Sequence, residues 1–113
     1  MASVVGEKSL VFAEKVVKTY DYLCNEKKEY VMSKQLLRSG TSIGANIAEA
    51  TYGFSSADFY AKMSIALKEA SETMYWLTLL SRTNRLPNEL FTELKSDCEE
   101  LIRILTAIVK KKN

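Results

Sequence analysis

Apolar residues recur along this chain every three or four positions. That spacing places them on one side of an α-helix turning about 100° per residue. Four such runs follow one another. In the first, Leu10, Ala13, Val16, Val17, Tyr20, Leu23 and Cys24 share one side, while Glu14, Lys15, Lys18 and Asp21 take the other. The charged segment Asn25 to Glu29 closes it. In the second, Leu36, Leu37, Gly40, Ile43, Gly44, Ile47 and Ala48 form an arc in which small residues alternate with large ones. The third runs from about Ala57 to Arg82 and begins at Ser55-x-x-Asp58, a capping box with Asp in the usual Glu/Gln slot. Its core arc holds Phe59, Met63, Ala66, Leu67, Ala70, Met74 and Leu77. The fourth carries Leu90, Phe91, Leu94, Cys98, Leu101, Ile102, Leu105, Ile108 and Val109, with Pro87 and Asn88 where a helix start wants them. The pattern predicts an all-α fold: an antiparallel up-down four-helix bundle filling a single domain, 1–113.

The third run has a second apolar side, formed by Ala61, Ile65, Trp76 and Leu79 around Glu72. A helix on the outside of a monomer is polar there. Leaving that side in water would expose a large apolar patch, so the expectation is a partner, with Ile65, Trp76 and Leu79 on an oligomer face.

The stretch RSGTSIGANIAEA, from Arg38 to Ala50, decides the character of the second run. A glycine inside a helix costs about 1 kcal/mol relative to Ala. Gly40-x-x-x-Gly44 offsets that cost only where a neighbouring backbone comes close. A phosphate loop would need a strand before it and a Lys after the glycines, and neither is present. The other side of this run carries Gln35, Ser39, Ser42, Asn46 and Glu49. Ser and Asn are poorer helix formers than the Lys and Glu of an ordinary solvated face. Such a stripe suggests specific hydrogen bonding, to Glu72 on the third run, to a neighbouring subunit or to a ligand. A plain solvated surface is the remaining alternative.

Composition narrows the function classes. Of the 113 residues 47% are hydrophobic and 27% charged, with four Gly and one Pro, which suits a globular helical domain. The net charge of +2 is spread evenly, without the dense stripe of a protein living on phosphate contacts. Lys34 and Arg38, which flank the polar stripe, are the candidate nucleic-acid contacts. Lys110, Lys111 and Lys112 read as a solvated helix end. The longest uncharged run, Ser39 to Ala48, is about half of a membrane span, and no signal-like leader is visible, so the expectation is a soluble cytoplasmic protein. Cys24 and Cys98 fall on apolar stripes without a CxxC spacing and are expected as buried free thiols. The chain has no histidine, the commonest general base and metal ligand. No nucleophile–base constellation is present, so the expectation is a non-enzymatic protein with no metal or cofactor. Glu49 with Glu72 is the one candidate pair of carboxylates.

LLRSGTSIGANIAEA at 36–50 and FYAKMSIALKEASETMYWLTLL at 59–80 resemble the bacterial four-helix-bundle proteins first noticed in intervening sequences of 23S ribosomal RNA genes. The resemblance spans nearly the whole chain. The residues of the family pattern fall at Arg38, Ser39, Ser42, Asn46, Glu49 and Glu72. The resemblance implies an up-down bundle assembling as a homo-oligomer, a pentameric ring in relatives. A similar group, the accessory proteins of diversity-generating retroelements, is basic, pentameric and binds a reverse transcriptase and nucleic acid; this chain departs from it in lacking a dense Lys/Arg face. The partners implied are further copies of the chain, RNA or DNA, and a nucleic-acid-handling protein, with no membrane. A protein–protein adaptor without nucleic-acid binding is the alternative.

Overall fold

The computed structural model describes residues 3–112, which form four helices: α1 (Val4–Asn25), α2 (Met32–Thr51), α3 (Ser56–Arg82) and α4 (Asn88–Lys110). The short connections force each helix to run antiparallel to the one before it. Each packs on two neighbours, α1 on α2 and α4, α3 on α2 and α4, giving a bundle of 44 × 20 × 19 Å. The up-down fold expected from the periodicity is the one observed.

Local signals place the helix ends. Ser3 caps α1 by accepting a hydrogen bond from the Gly6 amide at 2.9 Å, and Ser55 caps α3 by accepting from the Asp58 amide at 3.1 Å. The start of α2 lacks a short polar cap, since Val31 occupies the cap position. Glu29 does the work from two residues upstream. Its carboxylate accepts from the amides of Val31 at 3.1 Å, Met32 at 3.0 Å and Ser33 at 2.7 Å. Burial works to raise the Glu29 pKa, but the amide hydrogen bonds and the nearby Arg85 charge outweigh it and hold the carboxyl below its ordinary value.

The core is built from Phe12, Val16, Leu23, Leu36, Ile43, Ile47, Met63, Leu77, Leu80, Leu94, Leu101 and Leu105, all at most 3% exposed. The stripes of α2, α3 and α4 face inward largely as their periodicity predicts, with Ala48 of α2 the exception, on the outside. The stripe of α1 does so only in part: Val16 and Leu23 are core, and Ala13, Tyr20 and Cys24 are half-buried. Its buried side is Val5, Ser9, Phe12, Val16, Thr19 and Leu23, whereas Leu10 and Val17 are 57% and 43% exposed. The physical reason lies in the hydroxyls. Ser9 donates to the Gly6 carbonyl at 2.8 Å and Thr19 to the Lys15 carbonyl at 2.8 Å. A hydroxyl spent on its own helix has no need of water, so these positions bury as readily as apolar ones and the face rotates toward Phe12. Cys98 is buried as expected, its thiol donating to the Ala70 carbonyl at 3.3 Å and its pKa pushed up to about 12 by burial. Cys24 is only half-buried, beside Ser33.

The Gly40-x-x-x-Gly44 arc meets α1. A Cβ at Gly40 would stand 2.8 and 2.9 Å from the two γ-methyls of fully buried Val16. A Cβ at Gly44 would first meet the Ser9 hydroxyl at 3.2 Å, with the Ser9 carbonyl oxygen at 3.5 Å. The two glycines therefore respond differently to alanine. Gly40→Ala gains about 1 kcal/mol of helix propensity but overpacks a β-branched side chain at a cost of about 1–3 kcal/mol, and is expected to be net destabilising. Gly44→Ala needs the Ser9 hydroxyl to give by only a few tenths of an ångström and is expected to be nearly neutral, the gain of up to about 1 kcal/mol in propensity offset by that adjustment. Urea denaturation checks both, and in a Val16→Ala background the Gly40→Ala penalty should vanish.

Candidate functional site

The polar stripe of α2 lies along the seam with α3, and the antiparallel register brings residues whose numbers sum to about 111 face to face. At one level Arg38 pairs with Glu72 and stands 3.5 Å from Glu69. One step on, Ser39 and Thr73 touch through their hydroxyls at 2.9 Å, both fully buried. Thr73 also lies 2.7 Å from the Glu69 carbonyl, and one hydroxyl has one proton to give. If Thr73 spends it on that carbonyl, Ser39 becomes the donor between the pair. At the far end Glu49 pairs with Lys62 at 2.9 Å.

The other members of the stripe are spent locally. Ser42 donates to the Arg38 carbonyl at 2.6 Å and Asn46 to the Ser42 carbonyl at 2.8 Å. Gln35 is exposed. Thus Glu72 meets Arg38 rather than the serines and asparagine. Glu49 and Glu72 face α3 and α2 eleven residues of helix apart in register, roughly 16 Å along the bundle, and form no carboxylate pair. Among the described residues no group of three or more His, Cys, Asp or Glu gathers as metal ligands would.

Trp76 ties the second side of α3 to this seam. Its indole Nε1 donates to Glu72 at 3.1 Å and its ring meets Tyr75 edge-on, with centroids 5.0 Å apart. Trp76 and Leu79 are half-buried, and Ile65 remains 40% exposed. The hydrogen bond from Trp76, and then that from Arg38, hold the Glu72 carboxyl below its ordinary value. Arg38 is half-exposed but committed to two carboxylates, so of the two candidate nucleic-acid contacts only Lys34 is exposed and without an ion-pair partner among the described residues. Lys27, Lys28 and Arg82 are also exposed at this end of the bundle.

Two surface features escape the periodicity. Between α1 and α2 runs an apolar groove of about 380 Å³, lined chiefly by Leu10, Ala13, Thr41, Gly44, Ala45 and Ala48 and ending at Tyr52. Beyond it the connection from α2 to α3 carries Tyr52, 79% exposed, and Phe54, 100% exposed. Loop aromatics have no helical phase to betray them. Their only signal is composition: two aromatics in YGF, beside a glycine and two serines.

The seam and the bundle define a class: a four-helix bundle whose polar stripe is divided between contacts across the α2–α3 seam and bonds within α2 itself. The chain belongs to the 23S rRNA-intervening sequence protein family, which matches residues 2–107. It is similar to a protein of unknown function from the S23 ribosomal protein family of Bacteroides thetaiotaomicron VPI-5482, with 54% identity over 95% of this chain and 99% of that one and a TM-score of 0.93. No curated protein matches the chain. Among the described residues no helix is long and apolar enough to cross a membrane.

The seam makes a pH-dependent prediction. A depressed carboxyl stabilises the fold above its unfolded-state pKa, and the contribution is lost as pH falls through the folded value. Glu72→Gln is expected to cost about 1 kcal/mol near pH 7, in the range of a partly exposed ion pair, and progressively less as pH falls through the folded-state pKa of Glu72. Because Trp76 is the sole tryptophan, its fluorescence should titrate in the acid range in the parent protein and stay flat in Glu72→Gln.

Proposed function

We propose that the protein is a non-enzymatic scaffold that assembles from several copies of itself, a pentamer on the family resemblance, and engages RNA at the end of the bundle where α1 joins α2. The observation that carries this reading is apolar surface that a lone chain leaves in water. Val4, Leu10, Val17, Tyr52, Phe54 and Ile65 are between 40% and 100% exposed. Single exposed apolar residues are ordinary, but Leu10 and Tyr52 line one apolar groove and Tyr52 and Phe54 an adjoining hollow, as the residues of interaction surfaces do.

The RNA part rests on electrostatics and on the 23S rRNA of the family description. Lys27, Lys28, Lys34 and Arg82 are exposed at one end, against the exposed acids Glu26 and Glu89, while Glu29 is occupied with the α2 amides. A net charge of +2 per chain becomes about ten over a five-membered ring, enough for a field that attracts a polyanion. One observation favours a second reading, a protein–protein adaptor without nucleic acid: Arg38, the arginine nearest the stripe, is neutralised by Glu72 and Glu69.

Fluorescence anisotropy with a structured ribosomal RNA fragment and a DNA duplex, each at low and moderate salt, separates the two. RNA binding is expected to weaken steeply with salt. The triple variant Lys27→Glu, Lys28→Glu, Lys34→Glu should lose about tenfold or more in affinity and flatten the salt slope. Unchanged binding in that variant removes this end as the site. Absence of binding at low salt leaves the adaptor.

A further inference from the structure

The groove and the exposed aromatics lie on one continuous surface. Tyr52 closes the α1–α2 groove and, with Ala48 and Phe54, lines a second hollow beyond it. Phe54 is held out rather than left loose. Before it, the amides of Tyr52 and Gly53 donate to the Glu49 and Ala50 carbonyls at 3.2 and 3.1 Å. After it, Ser55 is fixed as the α3 cap. Gly53 permits the tight turn, since a Cβ there would stand 3.2 Å from the Asp58 Cβ and 3.3 Å from the Ala50 carbonyl oxygen. A ring presented by a pinned turn loses little freedom on docking.

We propose that copies of this chain join by plug and socket: Phe54 of one copy enters the α1–α2 groove of the next, between Leu10, Ala13, Gly44, Ala45 and Ala48. This rests on the scaffold reading above and assigns its contact. Three observations select a second copy as the occupant. First, size fits, because a cavity of about 150 Å³ accepts a benzene ring and this groove offers about 380 Å³. Second, one chain carries both halves, so a head-to-tail contact covers ring and groove together and closes into a ring when the rotation allows. Third, covering the two halves together removes apolar area from water on both: Phe54 brings about 150–250 Å², and exposed Leu10 and Tyr52 line the socket that receives it, toward the roughly 800 Å² per partner of a stable interface. The rim carries Glu7 and Asp58 beside the Glu49–Lys62 ion pair, a net acidic edge that disfavours an anionic lipid surface.

Light scattering on four samples tests the contact: the parent protein, Phe54→Ser, Ala48→Glu, and an equimolar mixture of the two variants. Both positions are exposed, and circular dichroism confirms folding; Ala45→Glu, on the same groove, stands in should Ala48→Glu fail to fold. The parent is expected as an oligomer and each variant alone at the mass of one subunit. The mixture should give a two-subunit species, because the groove-blocked copy keeps its Phe54 and the Phe54→Ser copy keeps an open groove. Variants that retain the parent mass would overturn the plug and socket while leaving the scaffold reading intact. A mixture that stays at one subunit would overturn it as well. A parent protein at one-subunit mass would overturn both, and its co-flotation with phosphatidylcholine vesicles, lost in Phe54→Ser, would assign the aromatics to lipid instead.

Discussion

The bundle depends on the closeness of α1 to α2 at Gly40. No side chain larger than hydrogen fits opposite the Val16 methyls, so the two helices are set by a contact that alanine would already disturb. That approach fixes which side of α1 faces inward. With Val16 seated on Gly40 and Ser9 beside Gly44, Phe12 between them enters the core. Leu10 and Val17 are left outside as the same rotation demands. The small residues of α2 thus have two consequences: they let one helix approach, and they open a groove beside the contact where Gly44, Ala45 and Ala48 present little but backbone and methyl groups.

On its other side α2 is joined to α3 by polar contacts at each end and a buried hydroxyl pair near one of them. The described residues leave no buried side-chain nitrogen or oxygen without a hydrogen-bond partner. This matters because an unpaired buried polar group costs about 1–3 kcal/mol, so a stripe of Ser, Thr and Asn is tolerable only when each member is satisfied. Most are satisfied by their own helix. Across the bundle α1 and α4 are pinned by charge, with Lys15 bridging Asp97 at 2.7 Å and Glu93 at 2.8 Å and Lys8 reaching Glu100 at 3.1 Å.

Much of this was legible in the sequence. The helix starts at Ser55 and Asn88, the stripes of α2, α3 and α4, the close approach at the glycines and the family follow from spacing and motif. What was not legible has one recurring cause. Ser9, Thr19, Ser33 and Thr73 bury because each hydroxyl lies within hydrogen-bond distance of a carbonyl three or four residues earlier, so residues counted as polar behave as core. Counting them as polar turned the α1 face toward Leu10 and Val17. Glu29 was hidden because it caps α2 from outside the usual cap position. Tyr52 and Phe54 were hidden because a connection has no period to read. The polar stripe was visible as a stripe, but its division between the seam and local bonds depends on a register that only the assembled helices define.

The central claim is that the apolar surface left on one chain, and not its ion pairs, drives the proposed self-association. Sedimentation velocity of the parent protein at micromolar concentration in 0.1 M and then 1 M sodium chloride tests it most directly, since salt screens exposed charges to about 3 Å at the higher strength and leaves apolar contacts intact. The account predicts a species of several 12.8 kDa subunits at both salt concentrations. A single 12.8 kDa species, or an oligomer that dissociates as salt is raised, would contradict it.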